Sequence, residues 1–151
     1  MKKLTLVIAF FAMGFMSINA QSNYNTAVGL GLDFGSGFTF VGPSAKFFIA
    51  PESAIEGEIL FESGVTALTG LYEYHGSIEG AEGLNWFAGG GASILFFSGD
   101  TELALRPTVG LEYKNATVPL VFSFDWRPFL GLGDLTTEVG AFGLGIRYVI
   151  N

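Results

Sequence analysis

From Tyr24 to the C-terminus, apolar side chains recur at every second position, which is the period of a strand and not of a helix. Tyr24, Thr26, Val28, Leu30, Leu32 and Phe34 share one face, with Asn25, Ala27, Gly29, Gly31 and Asp33 on the other. Leu103, Leu105, Val109, Leu111 and Tyr113 oppose Ala104, Arg106, Thr108, Gly110, Glu112 and Lys114. Val118, Leu120, Phe122, Phe124 and Trp126 oppose Ser123, Asp125 and Arg127. At the end of the chain Phe142, Leu144, Ile146, Tyr148 and Ile150 oppose Ala141, Gly143, Gly145 and Arg147.

Turn residues cut this pattern into eight segments, at 24–34, 38–50, 53–63, 65–76, 84–97, 102–114, 117–128 and 136–150. The links between them are short: Gly35-Ser36-Gly37, Pro51-Glu52, Ser63-Gly64, Gly76 to Gly83, Ser98 to Thr101, Asn115-Ala116 and Phe129 to Leu135. Parallel strands need crossovers of a dozen residues or more, so such links predict antiparallel hairpins. Gly42-Pro43 interrupts the second segment and predicts a bulge or bend there. If Asn115-Ala116 is a tight turn, Arg106 lies opposite Asp125 as a cross-strand pair.

Alternation alone does not distinguish a soluble barrel from a membrane barrel, because the two differ only in phase. Composition decides between them. Only 14% of residues are charged, against roughly 25% in ordinary soluble domains. The face opposite the apolar one is mostly glycine and alanine (Gly29, Gly31, Gly89, Gly91, Gly143, Gly145) with a limited set of charges. A water-facing exterior would be crowded with charged and hydroxyl side chains, whereas small residues and paired charges suit the narrow interior of eight strands. After the first twenty residues no apolar run reaches the roughly 18 that a membrane helix requires. The fold class is therefore read as all-β: an eight-stranded antiparallel up-and-down transmembrane β-barrel. With odd strands rising from the periplasm, Tyr24, Tyr72, Tyr74, Tyr113, Tyr148 and Trp86 fall toward one rim, and Phe34, Phe38, Phe61, Phe96 and Trp126 toward the other, as two interfacial belts require.

The first twenty residues carry a different signal. Lys2 and Lys3 precede an apolar core from Leu4 to Met16, and Ser17-Ile18-Asn19-Ala20 supplies a small residue for cleavage before Gln21. Residues 1–20 are thus read as a signal peptide and 21–151 as the barrel domain. Loss of two lysines moves the net charge from −7 to −9, which disfavours nucleic acid as a partner. There is no cysteine for a disulfide or thiolate site.

Leu84-Asn85-Trp86-Phe87-Ala88-Gly89-Gly90-Gly91-Ala92, Gly110-Leu111-Glu112-Tyr113-Lys114, Val118-Pro119-Leu120, Asp125-Trp126-Arg127-Pro128 and Gly143-Leu144-Gly145-Ile146-Arg147-Tyr148 resemble strands of small outer-membrane β-barrel proteins of Bacteroidota. The resemblance implies an OmpX-like or OmpA-barrel-like fold, a Gram-negative outer membrane, surrounding lipids and the barrel assembly machinery as partners, and a monomer. It implies no shared activity. Asn151 departs from the aromatic last residue common in assembly signals.

Candidate chemistry lies on the inward face. Glu56, Glu58, Glu62 and Glu73 with His75 line the third and fourth strands; Arg106, Glu112, Lys114, Asp125, Arg127 and Arg147 line the last three. An acidic wall facing a largely basic wall would serve either as an ion path or as a salt-bridge network filling the lumen, and the second is expected because buried charges must be paired. His75, the single histidine, forms a His-x-Ser pair with Ser77 that looks like the catalytic pair of outer-membrane lipid A deacylases, with Glu73 as orienting acid. No neighbouring motif supports it, and no catalysis, cofactor or metal is expected. Gly89-Gly90-Gly91 lies inside a strand and lacks the helix that a phosphate loop needs. The predicted outer loops are too short for a large recognition surface.

Overall fold

The computed structural model describes residues 24–151, so the predicted signal peptide and the cleavage point before Gln21 lie outside the described residues. The alternating pattern folds into β1 (Thr26–Gly35), β2 (Phe38–Ala50), β3 (Ser53–Glu62), β4 (Val65–Ser77), β5 (Leu84–Phe97), β6 (Asp100–Lys114), β7 (Leu120–Trp126), β8 (Leu130–Leu132) and β9 (Phe142–Val149). Every pairing is antiparallel, and β1 closes on β9 through Ala27–Phe34 against Val149–Phe142. Both β7 and β8 pair with β6, so they are two lengths of one stave broken at Arg127–Phe129. The result is a closed antiparallel barrel of eight staves.

Three hairpins at the end opposite the termini turn through Ser36-Gly37, Ser63-Gly64 and Ser98-Gly99. Their glycines have φ of 85°, 82° and 87°, a region where a side chain is strained. The remaining link at that end, residues 133–141, is long; Phe129 and Glu138 make an isolated bridge before β9 begins.

Three sequence expectations are corrected here. The Gly42-Pro43 pair makes no bulge: β1 pairs continuously through Leu30↔Pro43 and Gly31↔Gly42, and the register with β3 is the same on both sides. The ladder to β3 is merely interrupted, since proline has no N–H to give, and the register shift falls between Phe48 and Ala50. The turn after β6 is not tight: Lys114 pairs with Val121, and residues 115–119 form the connection to β7. Asn115 stabilises this longer turn by accepting from the N–H groups of Thr117 and Val118 at 2.8 and 3.0 Å. The last strand begins at Phe142 rather than near 136, because part of the expected loop, Leu130–Leu132, instead extends the seventh stave against β6.

Polarity is inside-out. Outward side chains such as Leu30, Phe61, Leu111, Phe124, Ile146 and Tyr148 form an exposed apolar band, with Leu30 at 60% and Ile146 at 54% of full exposure. Inward positions hold the buried charges. Two apolar clusters bracket them inside the lumen. Tyr24, Ala27 and Val121 pack with Phe48 and Val149 at the end carrying the termini. Phe40, Leu60, Ala67, Leu95, Ala104, Phe129 and Ala141 pack at the opposite end. Tyr24 and Phe38 thus leave the belts assigned to them. Tyr24 precedes β1 and turns inward, and Phe38 faces Phe40 and Phe129 in the lumen, at 5.8 and 5.6 Å between ring centroids.

Candidate functional site

The inward faces of β1, β2, β3, β4, β6, β7 and β9 contribute one or two charges each, and closure of the barrel brings them together in one buried layer. Around Lys46 of β2, its Nζ lies 3.0 Å from Glu56, 2.6 Å from Glu73 and 2.8 Å from Glu112. The Tyr24 hydroxyl donates to the second oxygen of Glu112 at 2.7 Å. His75 Nε2 is 2.9 Å from Glu73 Oε2, and the ring stacks on Phe87 at 5.2 Å and meets the edge of Phe48 at 4.9 Å.

The second half of the layer is organised by Arg127, just past the end of β7. Its guanidinium donates to both oxygens of Asp125 at 2.7 and 3.0 Å, the bidentate geometry that strengthens such pairs. It also donates to Glu58 at 2.6 Å and Glu56 at 3.1 Å on β3, and reaches Asp33 on β1 at 3.4 Å. Arg106 donates to Asp33 at 2.7 Å, to Ser93 at 2.9 Å and to the Arg127 carbonyl at 3.2 Å. Arg147 lies 2.8 Å from Glu56 and donates to Ser44 and Ser123 at 2.9 and 3.0 Å. Glu56 joins the two halves, with one oxygen toward Lys46 and the other toward Arg127 and Arg147.

Room for these long side chains comes from glycine on the neighbouring staves. A Cβ on Gly143 would stand 2.7 Å from Asp125 Oδ1 and 2.8 Å from Arg127 Nε. One on Gly31 would collide with the Glu58 carboxylate.

The structure brings Glu56, Glu58, Glu73, His75, Arg106, Glu112, Asp125, Arg127 and Arg147 into this one buried layer. It separates others. Arg106 stands beside Gly91, while Asp125 pairs with Gly110, so the expected Arg106–Asp125 cross-strand pair does not form. Thr108 takes that place, donating to Asp125 at 2.6 Å. Glu62 sits at the mouth and accepts from the Thr39 N–H at 2.7 Å. Lys114 is half-buried and joins no ion pair among the described residues. Nor are there two walls. Acids on β1, β3, β4, β6 and β7 interleave with bases on β2, β6, β9 and at Arg127. His75 has no hydrogen bond to Ser77 among the described residues; its ring partner is Glu73.

Sequence reasoning missed Asp33, Lys46 and Tyr24. Asp33 was the lone charge on the glycine-rich face of β1. Lys46 shares the period of Phe40, Gly42 and Ser44, which the proline hides by breaking the hydropathy pattern. With these included, six buried carboxylates (Asp33, Glu56, Glu58, Glu73, Glu112, Asp125) meet four permanent cations (Lys46, Arg106, Arg127, Arg147).

The inward charges and the outward apolar band together invert the arrangement of a soluble barrel. This is a transmembrane-type β-barrel fold. It is similar to the de novo designed TMB2.3, known from solution NMR, with a TM-score of 0.60 and 12% identity over 89% of this chain and 99% of that one. It is also similar to the N-terminal β-barrel domain of OprF from Pseudomonas aeruginosa, with a TM-score of 0.57 and 15% identity over 83% of this chain and 97% of that domain. No family model and no curated protein matches the chain. At these identities the likeness extends to the fold and not to membership of a Bacteroidota or OmpX-like group.

Proposed function

We propose that the protein is a structural outer-membrane barrel, monomeric in its lipid surround, whose lumen is filled by its own side chains and whose role is envelope integrity. The observation that carries this reading is Arg127. One side chain contacts carboxylates on β1, β3 and β7 and so spans the lumen from wall to wall. A guanidinium held this way cannot swing aside without leaving buried charges unpaired. Two apolar clusters above and below add to the filling. The reading includes delivery by the barrel assembly machinery and no catalysis.

Conductance of the refolded protein in a planar bilayer tests it. A silent bilayer with verified insertion is expected; steady, salt-dependent steps altered by Arg106→Ala or Asp125→Asn would establish the rival reading, a narrow path for small ions. That rival draws support from the surplus of carboxylates over cations in the layer, which would favour cations. The remaining rival, a lipid A-modifying enzyme using His75 and Ser77, is tested by lipid A mass spectrometry. Identical acylation in wild type and His75→Ala is expected.

A further inference from the structure

We propose that the mouth opposite the termini binds a small organic cation bearing one apolar ring. A cavity of about 200 Å³ opens there, walled by Phe38, Phe40, Phe129 and Leu135 and edged by Glu62 and Glu138. It is a dead end, because Phe40, Leu60 and Leu95 close it below as buried members of the apolar cluster. The site therefore stands whether or not the lumen beneath conducts.

Shape and charge select the ligand. A cavity of roughly 150 Å³ takes up benzene, so this one suits a single substituted ring and excludes a long acyl chain. The connections around the mouth carry Glu62, Asp100, Glu102, Asp134 and Glu138, and residues 35–38, 62–66, 97–102 and 129–141 contain no lysine or arginine. A concave site rimmed by one sign of charge concentrates the opposite sign. Each edge carboxylate is held in place by a backbone N–H, Glu62 by Thr39 at 2.7 Å and Glu138 by Gly140 at 2.8 Å. Neither meets a lysine or arginine among the described residues. Aromatic faces attract cations, and Phe129 already carries the Arg106 guanidinium 3.5 Å from its ring centroid. A metal ion is a poorer fit, since no group of three ligating side chains occurs among the described residues.

The test uses the full mature chain in lipid nanodiscs, titrated with benzyltrimethylammonium or its neutral carbon isostere neopentylbenzene and followed by NMR shifts. Empty nanodiscs report partition into lipid. Saturable cation binding with shifts confined to the mouth is expected. The double variant Glu62→Gln/Glu138→Gln keeps both backbone contacts and should weaken the cation by roughly tenfold, leaving the isostere unchanged. Leu135→Trp should abolish binding by filling the cavity, and Glu79→Gln at the other end should change nothing. Equal affinity for cation and isostere, wild-type affinity in the double variant, or uptake no greater than by empty nanodiscs would each overturn the proposal.

Discussion

Replacing Arg127 by methionine keeps the bulk and removes the charge that ties the layer together. The consequences differ from partner to partner. Asp33 keeps Arg106 at 2.7 Å, and Glu56 keeps Lys46 at 3.0 Å and Arg147 at 2.8 Å. Asp125 keeps only the Thr108 hydroxyl, and Glu58 is left with Arg147 at 3.7 Å. Two buried carboxylates therefore lose their principal partner. Stripping one member from a buried pair costs about 3–5 kcal/mol, and with two carboxylates stranded the upper end is expected here, about 5 kcal/mol. Urea unfolding from lipid vesicles, read by the fluorescence of the adjacent outward Trp126, measures it. The triple variant Arg127→Met/Glu58→Gln/Asp125→Asn removes the stranded charges and should return to within about 2 kcal/mol of wild type, because an intact network and a neutral one of similar shape differ little. A single variant within about 1 kcal/mol of wild type, or a triple variant no more stable than the single, would refute the reasoning.

Other outcomes follow from the same geometry. Leu111→Arg, on the outward face of β6, should lose roughly 2–4 kcal/mol in the same assay, while Ser98→Arg in a hairpin turn should lose almost nothing. Gly143→Ala presses a methyl into the Asp125–Arg127 pair and should lose about 1–3 kcal/mol; Gly57→Ala, whose Cβ would meet nothing within 4 Å, should be neutral. Tyr24→Phe deletes the hydroxyl donated to Glu112 and should lose about 1–2 kcal/mol, a loss absent if Tyr24 faced lipid.

Most of the architecture was legible because one physical rule governs it. Where a strand has an exposed apolar band on one side and a buried polar face on the other, hydropathy alternates, and β2 to β5 emerged within a residue of their ends. The failures occur where that rule stops acting. Asn115 to Pro119 is a turn stabilised by a side chain, and nothing in the alternation of Val118 and Leu120 distinguishes it from strand. Tyr24 lies before the first ladder bond and is free to turn either way. The charged layer was legible as a set of inward residues but not as pairs. Pairing across a lumen depends on the stagger of distant staves, and a four-residue shift in the register after one turn moved Asp125 from Arg106 to Gly110. Lys46 was lost for a local reason, the proline three residues before it.

The layer also dictates how the molecule must come into being. Arg127 and Asp33 are 94 residues apart, and Tyr24 and Glu112 are 88 apart. The hairpin of β1 and β2, crossing a bilayer alone, would bring Asp33 and Lys46 into hydrocarbon with their partners on β3, β4 and β6 still outside. Stepwise threading, one hairpin after another, is thereby penalised at every intermediate stage. The favourable route holds the whole chain at the interface until its two ends meet, and then passes the barrier as a nearly finished cylinder. On the proposed reading, charges that find partners only across the closed barrel favour insertion as one unit.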